Sequence, residues 1–132
     1  MGAHLPEAHH FIGTGLISGA LLAGAPDPAS LLPAGSAMVR ECGLTVVAES
    51  SANFEGGGAT LVWILAESHL VIHLWAAEGF ATIDLHVCDL RASNAGPARG
   101  LKDRLSEWCF AGGSGTWREI ATPYPAAAAC QP

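Results

Sequence analysis

The chain has 132 residues, half of them apolar and only 14% charged, with a formal net charge of −6. That length suits one domain around one core, and the acidic balance argues against nucleic acid or an anionic membrane as a partner. So few charges on so small a body leave surface for another subunit to cover. The four cysteines (Cys42, Cys88, Cys109 and Cys130) show neither C-x-x-C nor zinc spacing and read as reduced thiols of a cytoplasmic protein.

Residues 11–25 form an apolar run ending Ala-Gly-Ala, like a signal peptide, but Glu7 and histidines precede it where Lys or Arg belongs. The run is also too short and glycine-rich to span a membrane, and Glu67, Ser68 or a histidine interrupts every longer one. Residues 9–18 read as a first strand weakened by Gly13 and Gly15, and 19–26 as a loop. Asp27 can cap a helix with Pro28 at its first position, Pro33 moves its proper start inward, and Gly43 can end it. Residues 44–50 make a second strand and 51–58, with three consecutive glycines, a loop. No Lys or helix start follows that triplet, so it is a poor phosphate cradle. Residues 59–66 are an apolar run of the buried-strand kind.

Two central strands follow, 68–75 and 80–88, joined by 76–79. Antiparallel pairing sets Trp75 against Phe80, His73 against Thr82, His69 against His86 and Glu67 against Cys88. Period two then divides them into faces. One carries Leu70, Ile72 and Leu74 with Ala81, Ile83, Leu85 and Val87, a core face. The other carries His69, Val71, His73 and Trp75 with Phe80, Thr82, Asp84, His86 and Cys88. A solvated face shows Lys, Glu and Thr; imidazoles, a thiol and aromatics suit a site. The competing explanation is a half-buried sheet with satisfied histidines. The pairs His9-His10 and His69 with His73 lack a carboxylate or cysteine at ligand spacing, so no metal is assigned. Ser93 or Asn94 caps a last helix through Trp108, residues 112–115 are a linker, 116–122 a short edge strand, and 123–132 a flexible tail after a domain of 1–122. The order of elements predicts an α+β two-layer sandwich, a mostly antiparallel sheet with helices on one face.

Glu67-Ser68-His69, with His73 five and Cys88 twenty residues after Ser68, resembles the bacterial short form of the S-adenosylmethionine decarboxylase proenzyme family. Thr60 stands where that family has a serine or threonine, Phe54 and Trp75 match two pocket aromatics, and Val87-Cys88-Asp89-Leu90 with Ala92-Ser93-Asn94 resembles one branch's strand-to-helix join. The resemblance implies a small-molecule decarboxylase of spermidine (polyamine) biosynthesis. It implies a pyruvoyl cofactor made from Ser68 by self-cleavage between 67 and 68, and a homodimer whose second subunit helps build the site.

The residue chemistry is consistent with that family. Losing CO₂ from an amino acid leaves a carbanion, which an imine to an electron-poor carbonyl accepts. In this scheme Ser68 attacks the Glu67 carbonyl, Thr60 steadies the tetrahedral intermediate, and His73 takes the α-proton. Cys88 then protonates the product, and Phe54 and Trp75 sandwich an adenine. Singly, each also reads as an ordinary strand or core residue; their joint spacing favours the chemistry. Two features depart from the family. Trp75-Ala76-Ala77 replaces Trp-Pro-Glu, leaving Glu78 one place late for the ribose contact, and Gly13-Thr14-Gly15 stands where an acidic residue follows the first-strand histidine. Arginine or ornithine thus remain alternative substrates, and a non-cleaving homologue that binds a partner or metabolite remains an alternative role.

Overall fold

In the computed structural model, residues 6–123 are described. Six strands form one sheet: β1 (Glu7–Leu16), β2 (Val46–Phe54), β3 (Gly58–Leu65), β4 (Ser68–Trp75), β5 (Phe80–Cys88) and β6 (Thr116–Pro123). Their order is β2-β3-β4-β5-β1-β6, and every neighbouring pair is antiparallel. Three helices accompany it, α1 (Gly19–Gly24), α2 (Leu32–Glu41) and α3 (Ala95–Cys109). The expected central pairing is observed: His69 opposes His86, His73 opposes Thr82 and Trp75 opposes Phe80. The Cys88 amide donates to the Glu67 carbonyl just beyond, at 2.7 Å. The edge strand is also present, beside β1.

One face of the sheet is the core. Leu61, Trp63, Leu70, Ile72, Leu74, Ile83, Leu85 and Val87 are buried against Leu21, Val39, Leu101 and Leu105 of the helices. Burying a side chain of this size contributes about 1.5–3 kcal/mol, so this face fixes the register. Trp63 Nε1 donates to the Leu32 carbonyl and to Ser36 Oγ, which satisfies the indole inside the core. Gly35 makes room for it, since a Cβ there would meet Trp63 Cζ2 at 2.1 Å.

Several boundaries differ from expectation. Residues 19–24 are helix, not loop: the Ser18 hydroxyl accepts from the Leu21 amide, and burial of Leu21 secures a glycine-rich turn. Asp27 makes no side-chain cap. A 3₁₀ turn, Pro28–Leu31, comes first, and α2 starts at Leu32 with Pro33 in its first turn, where a missing amide costs nothing. Gly43 does end that helix, at φ +88°. The expected loop after residue 50 begins only after Phe54, because Ser51–Phe54 pair with β3 despite their polar outward faces. Asn94 stands at the start of α3, yet its amide turns back to the Cys88 carbonyl; the Ser93 hydroxyl accepts from Ala95 instead. Of the expected tail, Pro123 ends β6, and 124–132, with Cys130, lie outside the described residues.

Candidate active site

The sheet face away from the helices carries the chemistry in three rows across the strands. At the far end of β4 from Trp75, the hairpin from β3 turns in two residues, Ala66 and Glu67, with Leu65 opposite Ser68. Two-residue hairpins favour residues that accept positive φ, and neither alanine nor glutamate does so readily. Ser68 carries the distortion, at φ 149°, and it is the only non-glycine residue of positive φ among the described residues. Such a conformation costs of order 1–3 kcal/mol and persists only where its surroundings hold it. They do so here. The Glu67 side chain is buried and accepts from the Thr45 amide at 3.0 Å, and its carbonyl is bonded to Cys88.

Strand alternation alone would send the Ser68 side chain toward the core with Leu70. The unusual φ is accompanied by a hydroxyl that instead meets imidazoles: it lies 2.8 Å from His86 Nδ1 and 3.3 Å from His69 Nδ1. His69, His86 and His10 oppose one another on β4, β5 and β1. The His69 and His86 rings stack at 5.4 Å, and His10 meets His86 edge-on at 5.2 Å. Asp84 Oδ1 lies 2.7 Å from His10 Nε2 and 3.3 Å from His69 Nε2. Burial, then the neighbouring His10 and His69, push the His86 imidazole below its ordinary value.

The middle row is Thr60 on β3, His73 on β4 and Thr82 on β5. Thr60 Oγ1 is 2.9 Å from His73 Nδ1. The third row is aromatic. Phe54, Glu55, Gly56, Gly58, Trp75 and Glu78 line an open cleft of about 400 Å³. Gly58 sits between Phe54 and Trp75 in the ladder, and its missing side chain leaves a slot there. The Trp75 ring stacks on Phe80 at 5.7 Å, which holds it upright.

The family model described as S-adenosylmethionine decarboxylase matches residues 23–107. This chain belongs to the S-adenosylmethionine decarboxylase family. A protein of Symbiobacterium thermophilum called S-adenosylmethionine decarboxylase proenzyme is 39% identical over 93 residues, 67% of this chain and 70% of that one. One of the same name from Aquifex aeolicus is 42% identical over 50 residues, 38% of this chain and 37% of that one. The crystal structure of the adenosylmethionine decarboxylase from Aquifex aeolicus covers 90% of each chain with a TM-score of 0.63 at 21% identity, so the α+β sandwich is shared.

Within one chain the family's candidate residues are not gathered at one point. Ser68, Glu67 and Cys88 meet at one end of β4. Thr60 and His73 form their own pair about 16 Å along it, and Phe54, Trp75 and Glu78 share a cleft about 23 Å away, at roughly 3.3 Å per residue. A role for Thr60 or His73 at Ser68 of the same chain is therefore out of reach in this structure. His69 opposite His86 with Asp84 on their face is as expected, and His10 is the member of the row that the local motif did not supply. Period two along the first strand puts His10 on the site face; what places it beside His86 is the insertion of β1 between β5 and β6, which no local pattern encodes.

The two departures from the family also have physical readings. Gly13 and Gly15 are where a Cβ would strike Trp117 at 2.7 Å and Phe110 at 2.8 Å, so packing requires glycine there. Glu78, though one place late, lines the aromatic cleft. No group of three or more His, Cys, Asp or Glu side chains among the described residues is arranged to hold a metal. No helix among the described residues is long and apolar enough to cross a membrane.

Proposed function

We propose that the chain is a self-processing decarboxylase of S-adenosylmethionine, acting in spermidine synthesis, with a pyruvoyl group derived from Ser68. The observation that carries this is Ser68 itself: a strained residue in a turn without glycine, its hydroxyl among imidazoles, its preceding carbonyl held by the Cys88 amide.

The residues fit a group formed at position 68. A pyruvoyl group supplies an electron sink for the carbanion left by departing CO₂. The chain's own residues do the rest. In this reading Cys88, on the open face across from Glu67, delivers a proton to a carbon held at position 68. The slot over Gly58 between Phe54 and Trp75 suits a flat purine, and stacking contributes about 0.5–1.5 kcal/mol per aromatic pair beyond burial. Glu78 stands at the cleft rim for sugar hydroxyls.

The spread of these residues along β4 supports a homodimer. A two-fold related copy packed on the open face lays its Thr60–His73 pair and its aromatic slot toward Ser68 of the first, completing each site from two subunits. Ile12, Ile64 and Ile120, exposed on that face, supply apolar area for such a contact. Cysteine usage supports a cytoplasmic enzyme, since Cys42 and Cys109 carry no disulfide.

The test is mass spectrometry of purified protein, followed by CO₂ release. Fragments of residues 1–67 and 68–132, the second with a blocked terminus, are expected, and Ser68→Ala is expected to stay whole. S-adenosylmethionine is expected to release CO₂ where arginine and ornithine do not. A wild-type chain that never cleaves would sink this reading in favour of a binding homologue.

A further inference from the structure

We propose that His86 is the general base that takes the Ser68 hydroxyl proton when the 67–68 bond is cut. The inference rests on the self-processing reading and names the residue that starts it. The 2.8 Å from Ser68 Oγ to His86 Nδ1 is within the reach a base needs. His69 Nδ1 is 3.3 Å from the same oxygen, but the two imidazoles are not equivalent.

Geometry decides between them: His86 Nδ1 is the nearer to the hydroxyl, and Asp84 engages His69 and His10. A carboxylate only accepts, so His10 and His69 each keep a proton on Nε2 toward Oδ1. His86 lies between those two rings, edge-on to His10 and stacked on His69. Its own protonation is opposed by partial burial, by His10 and His69, and by His9 behind them, with Asp84 alone pulling the other way. His86 is thus an imidazole that resists protonation, with Nδ1 facing the hydroxyl.

The step balances without a co-reactant. Nδ1 of His86 accepts the proton as Ser68 Oγ bonds to the Glu67 carbonyl carbon. The carbonyl π pair moves to its oxygen, where the Cys88 N–H, 2.7 Å away, stabilises it. When that pair returns, the carbon–nitrogen bond breaks, its electrons go to the Ser68 nitrogen, and His86 gives that nitrogen the proton. An ester now joins the two halves, and His86 is neutral again.

The experiment times fragment formation in the full chain made by cell-free synthesis at set pH, read by intact mass, with hydroxylamine to cut any ester. His86→Phe is expected to slow ester and fragment formation about 10²-fold or more, the usual contribution of a positioned base. His86→Gln, which keeps a hydrogen bond without basicity, covers the case in which the phenylalanine variant misfolds and is expected to be as slow. Wild-type rate is expected to fall in acid as His86 takes up a proton, and both variants are expected to lose that limb. Added imidazole is expected to restore part of the rate to His86→Ala. Cleavage of the variants at the wild-type rate, or with the same acid limb, overturns the assignment of His86. A wild-type chain that itself stays whole overturns the self-processing reading and His86 with it.

Discussion

Thr60 Oγ1 and His73 Nδ1 lie 2.9 Å apart on neighbouring strands, a matched pair whose reach does not extend to Ser68 of its own chain. If the pair acts at a partner's Ser68, function must be exchangeable between subunits. His73→Ala alone is expected to lower processing about 10²–10⁴-fold, the range for a lost acid–base group. Coexpressed with a Ser68→Ala chain, whose His73 is intact, the His73→Ala chain is expected to be cut again. Gel separation of tagged chains measures this. Continued silence in the mixed dimer would confine the site to one subunit.

The aromatic slot makes a separate prediction. A Cβ on Gly58 meets Phe54 Cδ2 at 3.8 Å and the Leu74 carbonyl oxygen at 3.7 Å, ordinary contacts, and Gly58 has no positive φ. Gly58→Ala is therefore tolerated, while Gly58→Leu fills the space between Phe54 and Trp75. Losing one stacking contact of about 0.5–1.5 kcal/mol raises KM for S-adenosylmethionine roughly 2- to 12-fold. Steady-state CO₂ release checks it, and an unchanged KM in the leucine variant would place the adenine elsewhere.

How much of this was legible in the sequence follows from the range of each signal. The register of β4 on β5 could be read because a short loop fixes it and alternation over seventeen residues has one consistent solution. The helix over residues 19–24 was hidden by glycine and is held by Ser18 and Leu21, contacts that composition does not show. The outer half of β2 was hidden by its polar residues, which a neighbouring strand orders all the same. For the site, Glu67, Ser68 and Cys88 were legible because hairpin geometry is local. The separation of Thr60 and His73 from Ser68 was implicit in strand rise, and a motif's spacing conceals it. The placement of His10 beside His86 depends on a strand from the other end of the domain.

The core makes its own prediction. At Gly35 an added methyl would overlap Trp63, whose indole is anchored to Leu32 and Ser36. Neither partner yields easily, so Gly35→Ala is expected to destabilise the fold by about 1–3 kcal/mol despite alanine's better helix propensity. Thermal melting measures it. An unchanged or raised Tm would mean that α2 slides at little cost.

Stability should also depend on pH through His86. Its imidazole is held below the ordinary value near 6.5 by burial and by His10 and His69. The unfolded chain then binds a proton there more readily than the native one. Stability from this group is complete above about pH 6.5, falls as pH drops through that value, and stops falling below the native one. Asp84 opposes part of the trend at His86 itself, so the slope isolated by His86→Phe matters more than the total. That variant is expected to melt with a shallower loss between pH 7 and pH 5, roughly the window in which histidine titrates. Equal slopes in the two proteins would show that His86 is as easily protonated folded as unfolded. Ser68 would then face an imidazole whose proton affinity is not lowered by folding.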